Sequence, residues 1–250
     1  MILIKKQLLA DLLIAFHCAA KNKRSKSYVI EFESNLMENL NKLADDLINK
    51  TYEHERFTTF MVGPPGQREV FAANFRDRIV HHLYYNYTHK LFEDTFITDC
   101  YSCIKGRGTS YGIDRLKNHI RSESQNYTKQ CYIAKIDIKA YFININRKIL
   151  FNIVFKQLHK FEQKKKADLD YDFLRYLSKV IILLDPLKNV KQINPKAWET
   201  YKKSKSLFFA KILCGLPIGN LTSQLFSNVY LNLLDQFIKR VLKLNIMEDM

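Results

Sequence analysis

Apolar residues recur at helical spacing in one stretch of this chain after another, which commits most of it to amphipathic helices around a shared core. Leu8, Leu9, Leu12, Leu13 and Phe16 form one such face within residues 5–20. Phe32, Leu36, Leu40, Leu43 and Leu47 form a second stripe, read as one helix. Ile79, Val80, Leu83, Tyr84 and Tyr87 form a third between Asn74 and Leu91. Residues 111–123, 147–162 and 169–184 read as further helices, and Phe226, Val229, Tyr230, Leu233, Phe237 and Val241 mark the last. The β signal is confined to short runs. Phe57 to Val62 and Arg68 to Ala73 flank the turn Gly63-Pro64-Pro65-Gly66 and predict a hairpin. Tyr132 to Ile138 alternates most cleanly, with Tyr132, Ala134, Ile136 and Ile138 on one face and Ile133, Lys135 and Asp137 on the other, and predicts a strand. Residues 185–206 read as a polar, Lys-rich insertion without periodicity. Helices with scattered strands predict an α+β chain rather than a regular βαβ array.

Charge narrows the partners. Lys and Arg outnumber Asp and Glu by 40 to 25, a net +15. That balance suits a polyanion, nucleic acid before an anionic membrane, although a merely basic soluble protein has it too. The five cysteines, an odd number, give no disulfide framework and point to a reducing compartment. Cys100 and Cys103 form a C-x-x-C without a second pair to complete a zinc site, and read as buried thiols in a hairpin. Asp11 and His17 interrupt the first apolar run, which favours a helix over a signal segment. No run approaches the length of a membrane span, so a cytoplasmic protein is expected.

Three segments carry candidate chemistry. Asp137 closes the apolar run Ala134-Lys135-Ile136-Asp137-Ile138, and a carboxylate there is costly to bury unless it binds a cation or sits at a rim. An Asp that caps the following turn fits the same pattern. In Gly215-Leu216-Pro217-Ile218-Gly219, two glycines around Pro217 permit close backbone approach to a ligand. Asn220, Thr222 and Ser223 are candidate caps for the next helix, whose free N–H groups favour phosphate; a plain turn and capped helix fits equally. Arg68, Arg76, Arg78, Lys105 and Arg107, interleaved with Phe71, Phe75 and Tyr101, suit phosphates and stacked bases, or simply a solvated face.

The order of these segments resembles the reverse transcriptases. Asp137-Ile138-x-x-Tyr141-Phe142 resembles their first catalytic motif, and Gly219-x-x-x-Ser223-Gln224 the motif that follows it. Arg68-Glu69-Val70, Phe75-Arg76-Asp77-Arg78 and the run from Tyr101 to Thr109 resemble their fingers segments. Ile218 and Gln224 are similar to the version in diversity-generating retroelements, where most other members carry Gln and Pro. The resemblance implies a right-hand polymerase fold: N-terminal helices and fingers over 1–130, an incomplete palm over 131–250, and no thumb. It implies a bacterial or phage-encoded RNA-directed DNA polymerase using two Mg²⁺ ions, an RNA template, a DNA or RNA primer and dNTPs, with a possible accessory protein and no membrane. By the same resemblance Asp137 and the Ile138 carbonyl hold metal. Arg68 reaches the triphosphate, Phe142 excludes a 2′-hydroxyl, and Ile218, Gly219 and Gln224 lie at the nascent pair. Arg76, Lys105 and Arg107 would bind nucleic acid.

One departure matters. The family's Tyr-x-Asp-Asp motif, source of the other metal carboxylates, is absent from the sequence. Met247-Glu248-Asp249-Met250 offers adjacent acids with a single residue after them, too little for a hairpin. The expectation is therefore a truncated chain that does not itself polymerise, with a non-catalytic RNA-binding or accessory-protein-binding fragment as the alternative.

Overall fold

The computed structural model describes residues 2–63 and 66–242, so the centre of the Gly63–Gly66 turn and the acids Glu248 and Asp249 lie outside the described residues. The chain is a mixed α+β structure dominated by helices. Helix α1 (Ile2–Ala20) buries Leu8, Leu12 and Phe16 as its stripe predicts, and also Ala15, Ala19 and Ala20. The second stripe is split into α2 (Ser27–Ser34) and α3 (Leu36–Ile48) by Asn35, at φ −125° and ψ 43°. The break has a local cause: the Asn39 side-chain amide donates to the Phe32 carbonyl at 2.9 Å, so a side chain replaces the helical partner. Phe32 then stacks on Phe16 and meets Phe75 edge-on, while Leu40, Leu43 and Leu47 enter the core.

Strands β1 (Phe57–Val62) and β2 (Arg68–Ala72) pair antiparallel, with Thr59 opposite Phe71. Helix α4 (Phe75–Glu93) starts at Asn74, whose side chain accepts from the Arg76 N–H, and buries Ile79, Val80, Leu83 and Tyr84. Helix α5 (Thr109–Glu123) follows the basic loop. Beyond a short turn α6 (Tyr141–Asn144) come α7 (Arg147–Gln163) and α8 (Tyr171–Ile182), capped by Asn146 and Asp170. One core joins α1, α3, α4, α7, α8 and the last helix, α9 (Leu221–Arg240).

The segment 132–138 is not a strand. It has no regular secondary structure and is exposed throughout, with Tyr132 at 88% and Ile136 at 85% of full exposure. Alternation supplies a face for pairing but no partner, and among the described residues no strand lies beside it. The insertion departs in the opposite direction. Residues 190–192 form β3 (Val190–Gln192), parallel to β1, giving the order β2-β1-β3. Three 3₁₀ turns follow, at Pro195–Trp198, Lys203–Lys205 and Leu207–Phe209. A second small core gathers Phe57, Phe71, Ala73 and Leu207.

Helix α9 buries a different face from the predicted one. Phe226 and Val229 are buried, but Leu233, Phe237 and Val241 are exposed. Its distal half instead presents polar groups to the 95–102 loop. Asn228 donates to the Ser102 carbonyl at 2.6 Å, Gln236 to the Thr95 carbonyl at 2.9 Å, and Lys239 reaches Asp99 at 3.4 Å. Loop carbonyls without a ladder need donors, and this face supplies them. Of the two C-x-x-C thiols only Cys100 is buried; Cys103 is exposed and left-handed at φ 55°.

Candidate functional site

Two backbone zippers bring the distant motifs together. The first joins the residues after Asp137 to the Gly215 turn. Leu216 N–H donates to the Phe142 carbonyl and Gly215 N–H to the Ile145 carbonyl, both at 2.9 Å. Arg147 N–H donates to the Leu213 carbonyl at 2.8 Å. The second joins the next residues to the outer edge of β2. Phe71 N–H donates to the Ile218 carbonyl at 2.7 Å. The Asn220 amide donates to the Phe71 carbonyl at 3.0 Å and accepts from Ala73 N–H at 3.3 Å. Asn220 therefore does not cap α9 through its side chain; it completes the sheet edge. Gly219 sits at φ 117°, and a Cβ there would lie 2.7 Å from Val70 Cγ1 and 3.3 Å from the Phe71 carbonyl oxygen. Only glycine meets both demands.

Backbone strain collects along the first zipper. Ala140 and Leu213 are both left-handed, at φ 53° and 59°. Each such residue without glycine costs about 1–2 kcal/mol. Asn144 offsets the cost at Ala140 by donating to the carbonyls of Lys139 and Ala140 at 3.3 and 3.1 Å.

The predicted site residues divide into two groups. Phe142 is half-buried in α6; Ile218, Gly219 and Gln224 are exposed, the first two against β2 and Gln224 in the first turn of α9 near Tyr85, Glu93 and Cys103. Arg68 and Lys105 are exposed. Arg76, by contrast, pairs with Asp46 at 2.6 Å, donates to the Glu53 carbonyl and lies 4.9 Å from the Tyr52 ring centre. Arg107 donates to the carbonyls of Thr98 and Cys100. Both guanidiniums are occupied in holding loops.

Asp137 and Ile138 are exposed. Among the described residues no group of three or more His, Cys, Asp or Glu is placed to hold a metal ion. Two Mg²⁺ ions need several carboxylates between them. The described donor set, one carboxylate and a neighbouring carbonyl, does not fit that pair, and no metal-dependent step follows from it.

Beneath the second zipper lies a buried polar chain that the sequence did not announce. The Tyr52 hydroxyl donates to Asp77 at 2.6 Å and Glu55 N–H donates to its other oxygen at 3.0 Å. His54 Nδ1 faces the Glu55 carbonyl at 2.7 Å and Asp77 at 3.3 Å, so that nitrogen carries the proton. His54 Nε2 lies 3.3 Å from His81 Nε2, and His81 Nδ1 lies 2.5 Å from the Thr222 hydroxyl oxygen. Burial holds His81 well below the usual imidazole range, with His54 adding to the effect. Burial raises the Asp77 carboxyl, against the pull of His54 and the Tyr52 hydroxyl. The chain locks the base of the hairpin to α4 and to the first turn of α9.

No family model matches the chain, and no curated protein matches it at a significant level. No described helix is long and apolar enough to cross a membrane.

Proposed function

We propose that the chain is a polypeptide of an RNA-directed DNA polymerase, a reverse transcriptase of the bacterial retroelement kind, with an RNA template, a primer and dNTPs as partners and Mg²⁺ as its metal. The observation that carries this reading is the double zipper. Residues 142–147, 213–220 and β2 are far apart in sequence, and each overlaps a segment whose motif resembles the family's. Arg68, Ile218, Gly219 and Gln224 are all exposed, and Ile218 and Gly219 lie directly against β2, the strand that begins at Arg68. Asp137 contributes one metal-binding carboxylate in this reading, and any others come from outside the described residues.

A second reading is favoured by one specific observation: among the described residues no group of three or more His, Cys, Asp or Glu, with Asp137 or elsewhere, is placed to hold a metal ion. In that reading the chain binds RNA or an accessory protein without catalysis. Primer extension on an RNA template with dNTPs and Mg²⁺, run beside template–primer binding, separates the two. Extension that disappears in Asp137→Asn establishes the polymerase. Binding without extension leaves the non-catalytic reading, and neither binding nor extension overturns both.

A further inference from the structure

An open cleft of about 250 Å³ lies between the Lys139–Asn144 turn and the insertion. Lys139, Lys203 and Lys211 line it, with Asn144, Ser204 and Phe209. Among the described residues no carboxylate lines it. Glu69, which bonds Ser206, is buried and spends its oxygens on three internal donors. Phe209 is 60% exposed, and the Lys203 ammonium rests 5.3 Å from its ring centre. The ring is left at the surface beside ammonium groups that no carboxylate lining the cleft neutralises. From residue 185 to 211 the chain carries seven lysines against two carboxylates.

An aromatic face ringed by cations is the pattern that holds an unpaired strand: phosphates meet the ammonium groups and a base stacks on the ring. The cleft is too small for a duplex but fits about one nucleotide at its floor, near the lower bound of small-ligand clefts. We propose that this cleft binds single-stranded nucleic acid, with Lys139, Lys203 and Lys211 on the phosphates and Phe209 under a base. The rigid docking of the insertion through Glu69 and β3 supports this, because it fixes the platform before a strand arrives. The site stands whether or not the chain polymerises.

The test is fluorescence anisotropy of the full chain with a labelled twelve-nucleotide oligouridine across a salt series. Lys203→Glu/Lys211→Glu should weaken binding at least about tenfold and reduce the log–log salt slope by about 1.4, at about 0.7 per single-strand phosphate contact. Phe209→Ala should weaken it about fivefold or more with the slope unchanged. A charge-matched pair on α7, Lys156→Glu/Lys160→Glu, should do much less. Equal losses in both charge-reversal pairs, or no loss in Phe209→Ala, would overturn the site in favour of diffuse attraction. Loss of binding to phosphatidylserine vesicles in the cleft variants, with oligonucleotide binding intact, would also overturn it. In the unaltered chain a 4-thiouridine oligonucleotide should crosslink to the 203–211 peptide, which keeps the test independent of variant folding. None of these readouts involves extension, so failure of the polymerase reading leaves them unaffected.

Discussion

The hairpin β1–β2 and the segment 132–138 both carry β-prone residues, and only the hairpin is sheet. Its two outer edges are covered. Along β1 runs β3, with Phe57 N–H donating to the Asn189 carbonyl and Ile193 N–H to the Thr59 carbonyl. Along β2 runs the Ile218–Asn220 segment. Glu69 pins the first cover, accepting from Trp198 Nε1 at 2.6 Å, Ser206 Oγ at 2.7 Å and Leu207 N–H at 2.6 Å. The absence of a Cβ at Gly219 admits the second. Segment 132–138 has neither cover among the described residues, and its isoleucines face water. A run of β-formers specifies a surface, and a neighbouring backbone makes it a strand.

The largest expected effect comes from removing the pin. Glu69→Ala leaves two buried donors and the half-buried Trp198 N–H without an acceptor, at about 1–3 kcal/mol for each buried one, and should destabilise the protein by at least about 2 kcal/mol in urea melts. Hydrogen exchange at residues 190–192 should rise with it. A loss below about 1 kcal/mol would mean that the insertion docks by packing alone.

Gly219→Ala attacks the other edge. A left-handed backbone and a Cβ pressed on Val70 should cost about 1–3 kcal/mol, read as a lowered denaturant midpoint. Faster exchange at the Phe71 amide should accompany it, and an unchanged midpoint would show that the β2 edge yields freely.

Acid weakens the base of the hairpin next. Burial lowers His82 from 6.5 to about 4 and lowers His81 in the same direction. The unfolded chain therefore takes up protons first as the pH falls below 6.5, and stability is lost from there towards pH 4. Asp77, raised by burial, opposes this, because its folded form takes up a proton first as acid is added. With two imidazoles against one carboxyl, the melting temperature should fall over that range. His82→Gln should flatten the fall, and an unchanged slope would remove His82 from the linkage.

The smallest effect is expected at Asp137. Asp137→Asn, on an exposed segment, should shift stability by no more than about 0.5 kcal/mol. The amides of 132–138 should exchange nearly unprotected while those of Thr59 and Phe71 exchange slowly. Slow exchange across 132–138 would show a partner in solution and erase the contrast with the hairpin.

The helical part of the fold was legible because its signal is local. The stripe of α1, the helices at 147–162 and 169–184 and the β1–β2 hairpin each depend on residues within a few turns of one another. In α9 the same reading failed beyond Val229, because the polar demands of the 95–102 loop chose the buried face. Of the candidate site, the residues of the Gly215–Gln224 segment were visible as a glycine-bearing turn. Their contact with β2 was not, and neither was the engagement of Arg76 and Arg107 in holding loops.

By itself the sequence determined the helices, the hairpin, the basic charge and the order of motifs, since propensity and periodicity act between near neighbours. Only the tertiary structure decided which β-prone run found a partner, which carboxylates were buried and bonded, and which lysines met around a cleft. Those outcomes depend on contacts between segments up to about 150 residues apart, such as Asn220 with Phe71, and no local pattern encodes them.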